Sequence, residues 1–119
     1  MADYLDKWKK ALEETGLTVS KWVIPTKDGK KIPPPYIVIG KDLKSVQYAD
    51  NKPYRVNIEI AAMLINPLDN GESEFKLSRY LWDHGINFTS AEGYDRTEEV
   101  HFREYKWEAW EMYDPEISY

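Results

Sequence analysis

Hydrophobic and polar residues alternate most regularly over residues 54–65, which is the pattern of a strand with one buried face. One side of this strand carries Tyr54, Val56, Ile58, Ile60, Ala62 and Leu64. The other side carries Arg55, Asn57 and Glu59, followed by Ala61, Met63 and Ile65. We therefore predict a central strand whose second face starts polar and is covered near residues 61–65.

Two amphipathic helices flank this strand in the chain. Leu5, Trp8 and Leu12 have helical spacing over residues 3–15, with Asp3 as the N-cap and Gly16 as the left-handed residue at the end. The second helix is predicted to begin at a cap, either Ser73 or Asp69, and to run to about Asp83, with Gly85 closing it. Its apolar positions are Phe75, Leu77, Tyr80, Leu81 and Trp82.

Shorter patterns predict the remaining strands at residues 18–24, 36–39, 45–49, 86–89 and 98–110. Turns are predicted at residues 27–30, 41–44, 50–53 and 91–97. The apolar parity changes near Arg103 and Glu104, which indicates either a bulge or a change of environment along the last strand. Residues 1–112 are expected to form one domain, and residues 113–119 a frayed tail.

These elements predict an α+β fold with the order α-β-β-(β)-β-α-β-β. We expect a mainly antiparallel sheet with both helices packed on one face. The length of 119 residues suits one core of this kind.

Composition excludes several classes of protein. The chain has no cysteine, which excludes disulfides and zinc sites built on thiolates. No apolar stretch reaches the roughly 18 residues of a membrane span, and the charged N-terminus is unlike a signal peptide. The net charge is −5, but residues 1–50 hold nine Lys and seven Asp/Glu, whereas residues 51–119 hold seven Lys/Arg and fourteen Asp/Glu. The acidic second half argues against specific nucleic-acid binding.

Candidate catalytic chemistry is sparse. His84 lies at a helix end and His101 among charges on a strand, and both positions are typical of surface histidines. The last strand is rich in glutamates, but a carboxylate pair for acid–base work needs only a loose spacing that any acidic strand satisfies. There is no nucleophile motif, phosphate loop or calcium loop. We therefore predict a protein that is not an enzyme and that needs no cofactor or metal.

Several of these segments resemble a known family. They are Pro34-Pro35-Tyr36-Ile37-Val38-Ile39, the turn Ala49-Asp50-Asn51, the strand 54–64, the helix with Glu74, Leu77 and Leu81, and His84-Gly85-Ile86-Asn87-Phe88. Over about residues 3–110 the chain resembles the small neck proteins of long-tailed phages and prophages, which are the tail-terminator and tail-completion (head–tail joining) proteins. It departs from their pattern in the triple proline that starts at Pro33, in Lys52-Pro53, and in the aromatic extension Trp107–Trp110.

The resemblance implies a structural protein of the virion that forms a hexameric ring and caps the tail tube or joins the tail to the head connector. Its partners would be copies of itself and other neck or tail proteins, first in the bacterial cytoplasm and then in the virion neck or tail. The basic first half and acidic second half would supply complementary edges to neighbouring copies. Candidate contact residues are Lys41, Lys44, Arg55, Glu99, Arg103, Glu104, Trp107 and Trp110.

The same acidic, aromatic half leaves a second function open. An inhibitor or immunity-type protein could present this surface to a basic enzyme as a mimic of a nucleic-acid backbone.

Overall fold

The computed structural model describes residues 2–67, 71–95 and 100–119. The helices are α1 (Tyr4–Leu12), which continues as a short 3-10 turn (Glu13–Thr15), and α2 (Glu72–Asp83). The strands are β1 (Ala2–Asp3), β2 (Thr18–Lys21), β3 (Thr26–Lys27), β4 (Lys30–Lys31), β5 (Tyr36–Ala49), β6 (Lys52–Pro67), β7 (Thr89–Asp95), β8 (Val100–Met112) and β9 (Ile117–Ser118). The chain is therefore of mixed α+β class, as predicted.

The main sheet has five strands in the order β2-β5-β6-β8-β7. The pairs β5–β6, β6–β8 and β7–β8 are antiparallel, whereas β2 runs parallel to β5. The predicted antiparallel sheet is thus correct for three of the four pairings. The parallel pair arises because residues 22–35 cross over between β2 and β5 instead of closing a tight hairpin.

The centre of the sheet is the long hairpin of β5 and β6, closed by the predicted turn at Asp50 and Asn51, whose φ angles are 52° and 63°. The predicted turn at residues 41–44 is wrong, because β5 runs through it and the register only shifts by one residue between Leu43 and Ser45. Polar side chains are tolerated there because residues 42–45 are exposed while their backbone pairs with β6.

One face of the sheet, called here the inner face, carries the core. Ile37 and Ile39 of β5, Ile58, Ile60 and Leu64 of β6, and Tyr105 and Trp107 of β8 are all buried there. Leu5 and Leu12 of α1 and Leu77 and Leu81 of α2 belong to the same cluster. Both helices therefore pack on one face, and the helical stripes at these leucines are confirmed.

The predicted helix ends are correct for α1 and partly wrong for α2. The Asp3 carboxylate accepts a hydrogen bond from the Leu5 N–H at 3.0 Å, and Gly16 has a φ of 85°. At α2 the N-cap is Gly71 without a side-chain bond, while Ser73 is buried inside the helix, so the Ser73 cap is wrong. The alternative cap, Asp69, lies outside the described residues.

Strand boundaries in the second half differ from those predicted. β7 is Thr89–Asp95, so the expected strand at 86–89 is wrong over residues 86–88 and the expected turn at 91–97 is wrong over residues 91–95. Residues 96 and 97 of that turn lie outside the described residues. β8 pairs with β6 in one unbroken register from Val100 to Met112, so there is no bulge near Arg103. The apolar parity changes because the environment changes along the strand, which was the second predicted explanation. Phe102 lies on the exposed face of the sheet, and Tyr105 and Trp107 lie on the buried face.

Two further corrections concern β2 and the chain end. β2 stops at Lys21, not at Ile24, because Trp22 adopts a φ of 69°, which no regular strand allows. Residues 113–119 are not frayed, since β9 pairs in parallel with β1 and the Tyr119 ring packs 5.5 Å from that of Tyr4.

Candidate protein-binding surface

The sheet face opposite the helices, called here the outer face, is open to solvent over much of its area. It is formed by alternate residues of the three central strands: Val38, Gly40 and Asp42; Arg55, Asn57, Glu59, Ala61, Met63 and Ile65; and Phe102, Glu104, Lys106, Glu108, Trp110 and Met112. Its chemistry changes along the strands. An apolar end surrounds Met63, and an acidic end surrounds Glu59.

A protruding hairpin, called here the arm, lies beside the apolar end. It comprises residues 22–32, in which β3 and β4 are joined by Asp28 and Gly29 with φ angles of 55° and 76°. This is the tight Asp-Gly turn predicted from sequence. The arm exposes an apolar root, because Trp22 is 58%, Val23 67% and Ile24 43% exposed.

The arm root packs on the apolar end of the outer face without filling it. The Trp22 ring lies over Gly40, where a Cβ atom would come within 3.0 Å of ring atom Cζ3, so glycine permits this approach. Two shallow grooves of about 370 and 380 Å³ remain between the arm and the sheet. Ile24, Met63 and Ile65 line both of them.

Three carboxylates cross the acidic end in a row. Asp42 lies opposite Glu59 in the β5–β6 pair, and Glu59 lies opposite Glu108 in the β6–β8 pair. Lys44 Nζ reaches Asp42 at 3.3 Å and Glu59 at 3.9 Å. The hydrogen bond to Asp42 and the charges of Glu59 and Glu108 raise the pKa of Lys44. Lys44 thus interacts with all three carboxylates, and the carboxylates of Glu59 and Glu108 repel each other.

Asn57 adjoins this row and has an unused acceptor. Its side chain is only 8% exposed, and its Nδ2 donates to Glu108 Oε2 at 3.4 Å. Within the described part of the chain, no donor reaches the buried Oδ1 atom. A buried carbonyl without a donor costs stability.

Trp110 forms the aromatic border of the acidic end. It is 44% exposed and stacks on the Arg55 guanidinium, whose Cζ lies 4.8 Å from the ring centroid. An open cavity of about 530 Å³ lies between Trp110, Glu108, Glu59 and residues 87–89. Among the described strands, β8 pairs only with β6 over residues 107–112, so its other edge is accessible beside this cavity.

A second exposed apolar surface lies on α2, on the other side of the molecule. Phe75 is 59% and Trp82 62% exposed, and the two residues are spaced seven positions apart on one helix face. The sequence pattern placed both among the apolar positions that pack the helix, and in the structure only Leu77 and Leu81 are fully buried. The molecule therefore offers unlike apolar patches on opposite sides.

Four of the eight contact residues predicted from sequence lie together on the outer side of the sheet: Lys44, Arg55, Glu104 and Trp110. Glu104 is paired with Lys106 at 3.4 Å. Glu99 lies outside the described residues.

The other three belong to the inner side. Lys41 donates to the Ser118 carbonyl at 3.2 Å. Arg103 binds Glu92 at 3.1 Å and Glu74 at 3.5 Å, so it ties α2 to β7 and β8. Trp107 is 3% exposed and packs in the core, so its prediction as a contact residue is wrong.

Sequence reasoning missed Asp42 and Glu59 as contact residues, although a signal for them exists. A two-residue turn at Asp50 and Asn51 pairs Ala49 with Lys52, and counting back along both strands places Asp42 opposite Glu59, because the register shifts at residues 43–45 and 47–48 cancel. The exposed Trp22 had no such signal, because its position depends on the arm's path over Gly40.

Other chemistry is limited in the described residues. His84 Nδ1 lies 2.8 Å from the Tyr80 carbonyl, as expected at a helix end. No group of three or more His, Cys, Asp or Glu residues in residues 2–67, 71–95 and 100–119 is arranged to hold a metal ion. Neither of the described helices is long and apolar enough to cross a membrane.

Comparisons with known proteins give no assignment. No protein-family model matches the chain, and no curated protein and no solved structure is significantly similar to it.

Proposed function

We propose that this chain is a structural protein of virion assembly in a long-tailed phage or prophage. In this proposal it forms a ring that caps the tail tube or joins the tail to the head connector. The resemblance of its proline-tyrosine strand entry, Asp-Asn turn and long strand to phage neck proteins supports this function. It would assemble in the bacterial cytoplasm and remain in the virion neck or tail.

The observation that carries the proposal is the pair of unlike surfaces on one small protein. A cyclic ring is built from head-to-tail contacts, in which one surface of each copy meets a different surface of the next. The arm with Trp22 and the acidic outer face lie on one side of the sheet, while Phe75 and Trp82 project from α2 on the other. Exposed aromatic side chains of this kind are enriched where proteins bind each other.

The proposal includes no catalytic step. The cavities on the outer face are open grooves, and several polar groups near them are engaged in ion pairs, such as Lys44 with Asp42 and Glu104 with Lys106. A typical enzyme site is a closed concavity in which a few polar groups converge. The open surface is better suited to contact with another protein.

Gene deletion in the phage or prophage that carries the chain tests this function. Loss of the protein should leave heads and tails unjoined, or tail tubes of irregular length, in electron micrographs of induced lysates. Expression of the chain from a plasmid should restore intact particles. Normal particles after deletion would contradict the proposal.

The row formed by Asp42, Glu59 and Glu108 supports one alternative, an acidic inhibitor or immunity-type protein. Such a protein would bury these carboxylates on a basic partner of a different sequence. In the deletion strain, intact virions together with toxicity that the plasmid-borne chain relieves would favour this alternative.

A further inference from the structure

The chain carries two like-charge pairs of opposite sign. In the arm, Lys27 lies directly opposite Lys30 in the β3–β4 pair, and both are exposed. On the outer face, Glu59 lies directly opposite Glu108. Like charges in directly opposed strand positions destabilise a hairpin or sheet. The repulsion within each pair is therefore unfavourable in a single copy. Contact with the oppositely charged pair of another copy could remove it.

Neither pair is neutralised within the described part of the chain. No carboxylate there lies within ion-pairing distance of Lys27 or Lys30. Glu59 shares the single Lys44 with Asp42, at 3.9 and 3.3 Å, and the amide of Asn57 is the donor to Glu108. The local charge of the acidic end is negative, while the arm tip around Lys27, Asp28 and Lys30 is positive.

We propose that the Lys27–Lys30 tip of the arm of one copy docks on the Glu59–Glu108 pair of the outer face of a second copy. This inference rests on the proposed self-assembly and names one contact for the ring, between two surfaces on the same side of the sheet. Because the arm and the acidic end are different surfaces, the contact can repeat head-to-tail around a ring.

Asn57 does not remove the need for a cation at this point. Its Nδ2 donates to Glu108 at 3.4 Å but carries no charge, so the repulsion between Glu59 and Glu108 remains. A lysine from outside could donate to both carboxylates together, since an ammonium group has three donors and no acceptor. The open cavity of about 530 Å³ beside Glu108 and Trp110 leaves room for the side chain to enter.

Both surfaces also carry exposed apolar side chains. The arm root exposes Trp22, Val23 and Ile24, and the acidic end is bordered by Trp110 and Met112, which are 44% and 61% exposed. Burial of such side chains supplies affinity, whereas the charges set the register and the approach. We therefore expect weak association of the isolated protein that decreases as salt rises.

Charge reversal tests the contact by sedimentation velocity at several protein and salt concentrations. The arm variant Lys27→Glu/Lys30→Glu and the face variant Glu59→Lys/Glu108→Lys should each associate at least about tenfold more weakly than the unaltered chain. Their equimolar mixture should recover association, because each variant's arm then meets a face of opposite charge. The control Lys10→Glu/Lys76→Glu, on the two helices, makes the same change in net charge as the arm variant and should associate normally.

A cysteine cross-link tests the same geometry without charge reversal. The chain has no cysteine, so Lys30→Cys and Glu108→Cys can each be the sole thiol of a variant. Under mild oxidation, an equal mixture of these two variants should give a mixed disulfide dimer faster than Lys10→Cys mixed with Glu108→Cys. Both substitutions are at exposed sites, and circular dichroism checks that the fold is retained.

The outcomes separate this inference from the proposed function. If all charge variants associate like the unaltered chain, or if Lys10→Cys cross-links as fast as Lys30→Cys, the arm-to-face contact is wrong and ring assembly through other surfaces still stands. An unaltered chain that stays monomeric at its highest attainable concentration and lowest salt also overturns the contact. The virion role is decided independently by gene deletion.

Discussion

Trp8 of α1 and Trp107 of β8 meet edge to face in the core, with ring centroids 5.3 Å apart and ring planes inclined by 62°. The pair holds α1 on the sheet, because Trp8 packs against a ring that cannot move easily. Trp107 is 3% exposed, and its strand β8 pairs with β6 at this position. Edge-to-face aromatic pairs stabilise beyond their burial by about 0.5–1.5 kcal/mol.

The first prediction follows from this packing. Trp107→Ala should lower the free energy of unfolding by roughly 3–5 kcal/mol, because it removes a large buried ring. Trp107→Phe should cost less, since the indole N–H of Trp107 has no partner among the described residues and no hydrogen bond is lost. Urea denaturation measures both. Trp110→Ala is the matched control at an exposed site, and an equal loss there would contradict the structure.

The second prediction concerns the chain end. A chain truncated after Asp114 should lose roughly 1–3 kcal/mol of unfolding free energy, because removing Tyr119 and β9 exposes apolar surface on Tyr4 and leaves β1 unpaired. Thermal and urea denaturation measure the loss. Glu116→Ala, which changes an exposed side chain in the same segment, serves as the control. Equal stability of the full and truncated chains would show that the tail is not packed as described.

The third prediction concerns Gly93 of β7. A Cβ atom at this position would lie 2.2 Å from Cζ of the Phe102 ring across the β7–β8 pair. Gly93→Ala should therefore force the ring out of its place and lower the unfolding free energy by about 1–3 kcal/mol. The double variant with Phe102→Ala removes the clash, so the added methyl group should cost little in that background. A full cost in both backgrounds would refute the assigned contact.

The helix ends, turns and register of this fold were accessible from sequence because they depend on neighbouring residues. Asp3 caps the start of α1, and Gly16 and Gly85 follow the ends of the two helices. The pairs Asp28-Gly29 and Asp50-Asn51 form the predicted tight turns. Each acts through its own φ angle or a hydrogen bond within a few residues. Alternation likewise placed Val56, Ile58 and Ile60 on one buried side of β6.

Features that depend on distant residues were not accessible in the same way. Polar residues 41–44 read locally as a turn, and only pairing with β6 keeps them in a strand. β9 is ordered by β1, which is more than a hundred positions away in the chain. The face on which Trp107 lies was also undetermined, because parity groups it with Tyr105 but does not say which side the helices cover.

The candidate surface combines both kinds of information. Trp110, Arg55, Lys44 and Glu104 are contact residues predicted from the resemblance and the charge pattern, and they lie on the outer side of the sheet. The place of Glu108 in the row of carboxylates depends on the pairing of β8 with β6. No local signal in the sequence pairs residues 59 and 108, so this part of the row could not be predicted.

The fourth prediction is a pH dependence at Asp3. Burial opposes ionisation of this carboxyl group, but the Leu5 N–H and the Lys21 ammonium outweigh it and hold the pKa of Asp3 below its ordinary value of 3.8. A carboxyl group with a lowered folded pKa contributes stability above its unfolded pKa and loses it as the pH falls through the folded value. Asp3 therefore stabilises the protein near neutrality, and this contribution disappears below about pH 4.

Comparison of the unaltered chain with Asp3→Asn measures this effect. The unaltered chain should be more stable at pH 7 by less than about 1 kcal/mol, because both partners are about one-third exposed to solvent. The difference should shrink between pH 5 and pH 2 in urea denaturation. Asp28→Asn, in the exposed turn of the arm, is the control. A difference that stays constant over this range would contradict the assigned role.

The fifth prediction tests whether the acidic end costs stability in the isolated chain. Glu108→Gln should raise the unfolding free energy by about 0.2–1 kcal/mol, because it removes the repulsion in the opposed Glu59–Glu108 pair and keeps an oxygen that accepts from Asn57 Nδ2. Glu104→Gln makes the same charge change on the same face but removes the carboxylate that pairs with Lys106 at 3.4 Å, so it should lower stability. Urea denaturation at low salt measures both changes, and high salt should reduce them.

Equal effects of the two substitutions would mean that net charge, and not the Glu59–Glu108 contact, governs stability. Opposite effects would show that residue 108 carries a glutamate despite its cost to the folded monomer, as expected of a side chain retained for contact with another molecule.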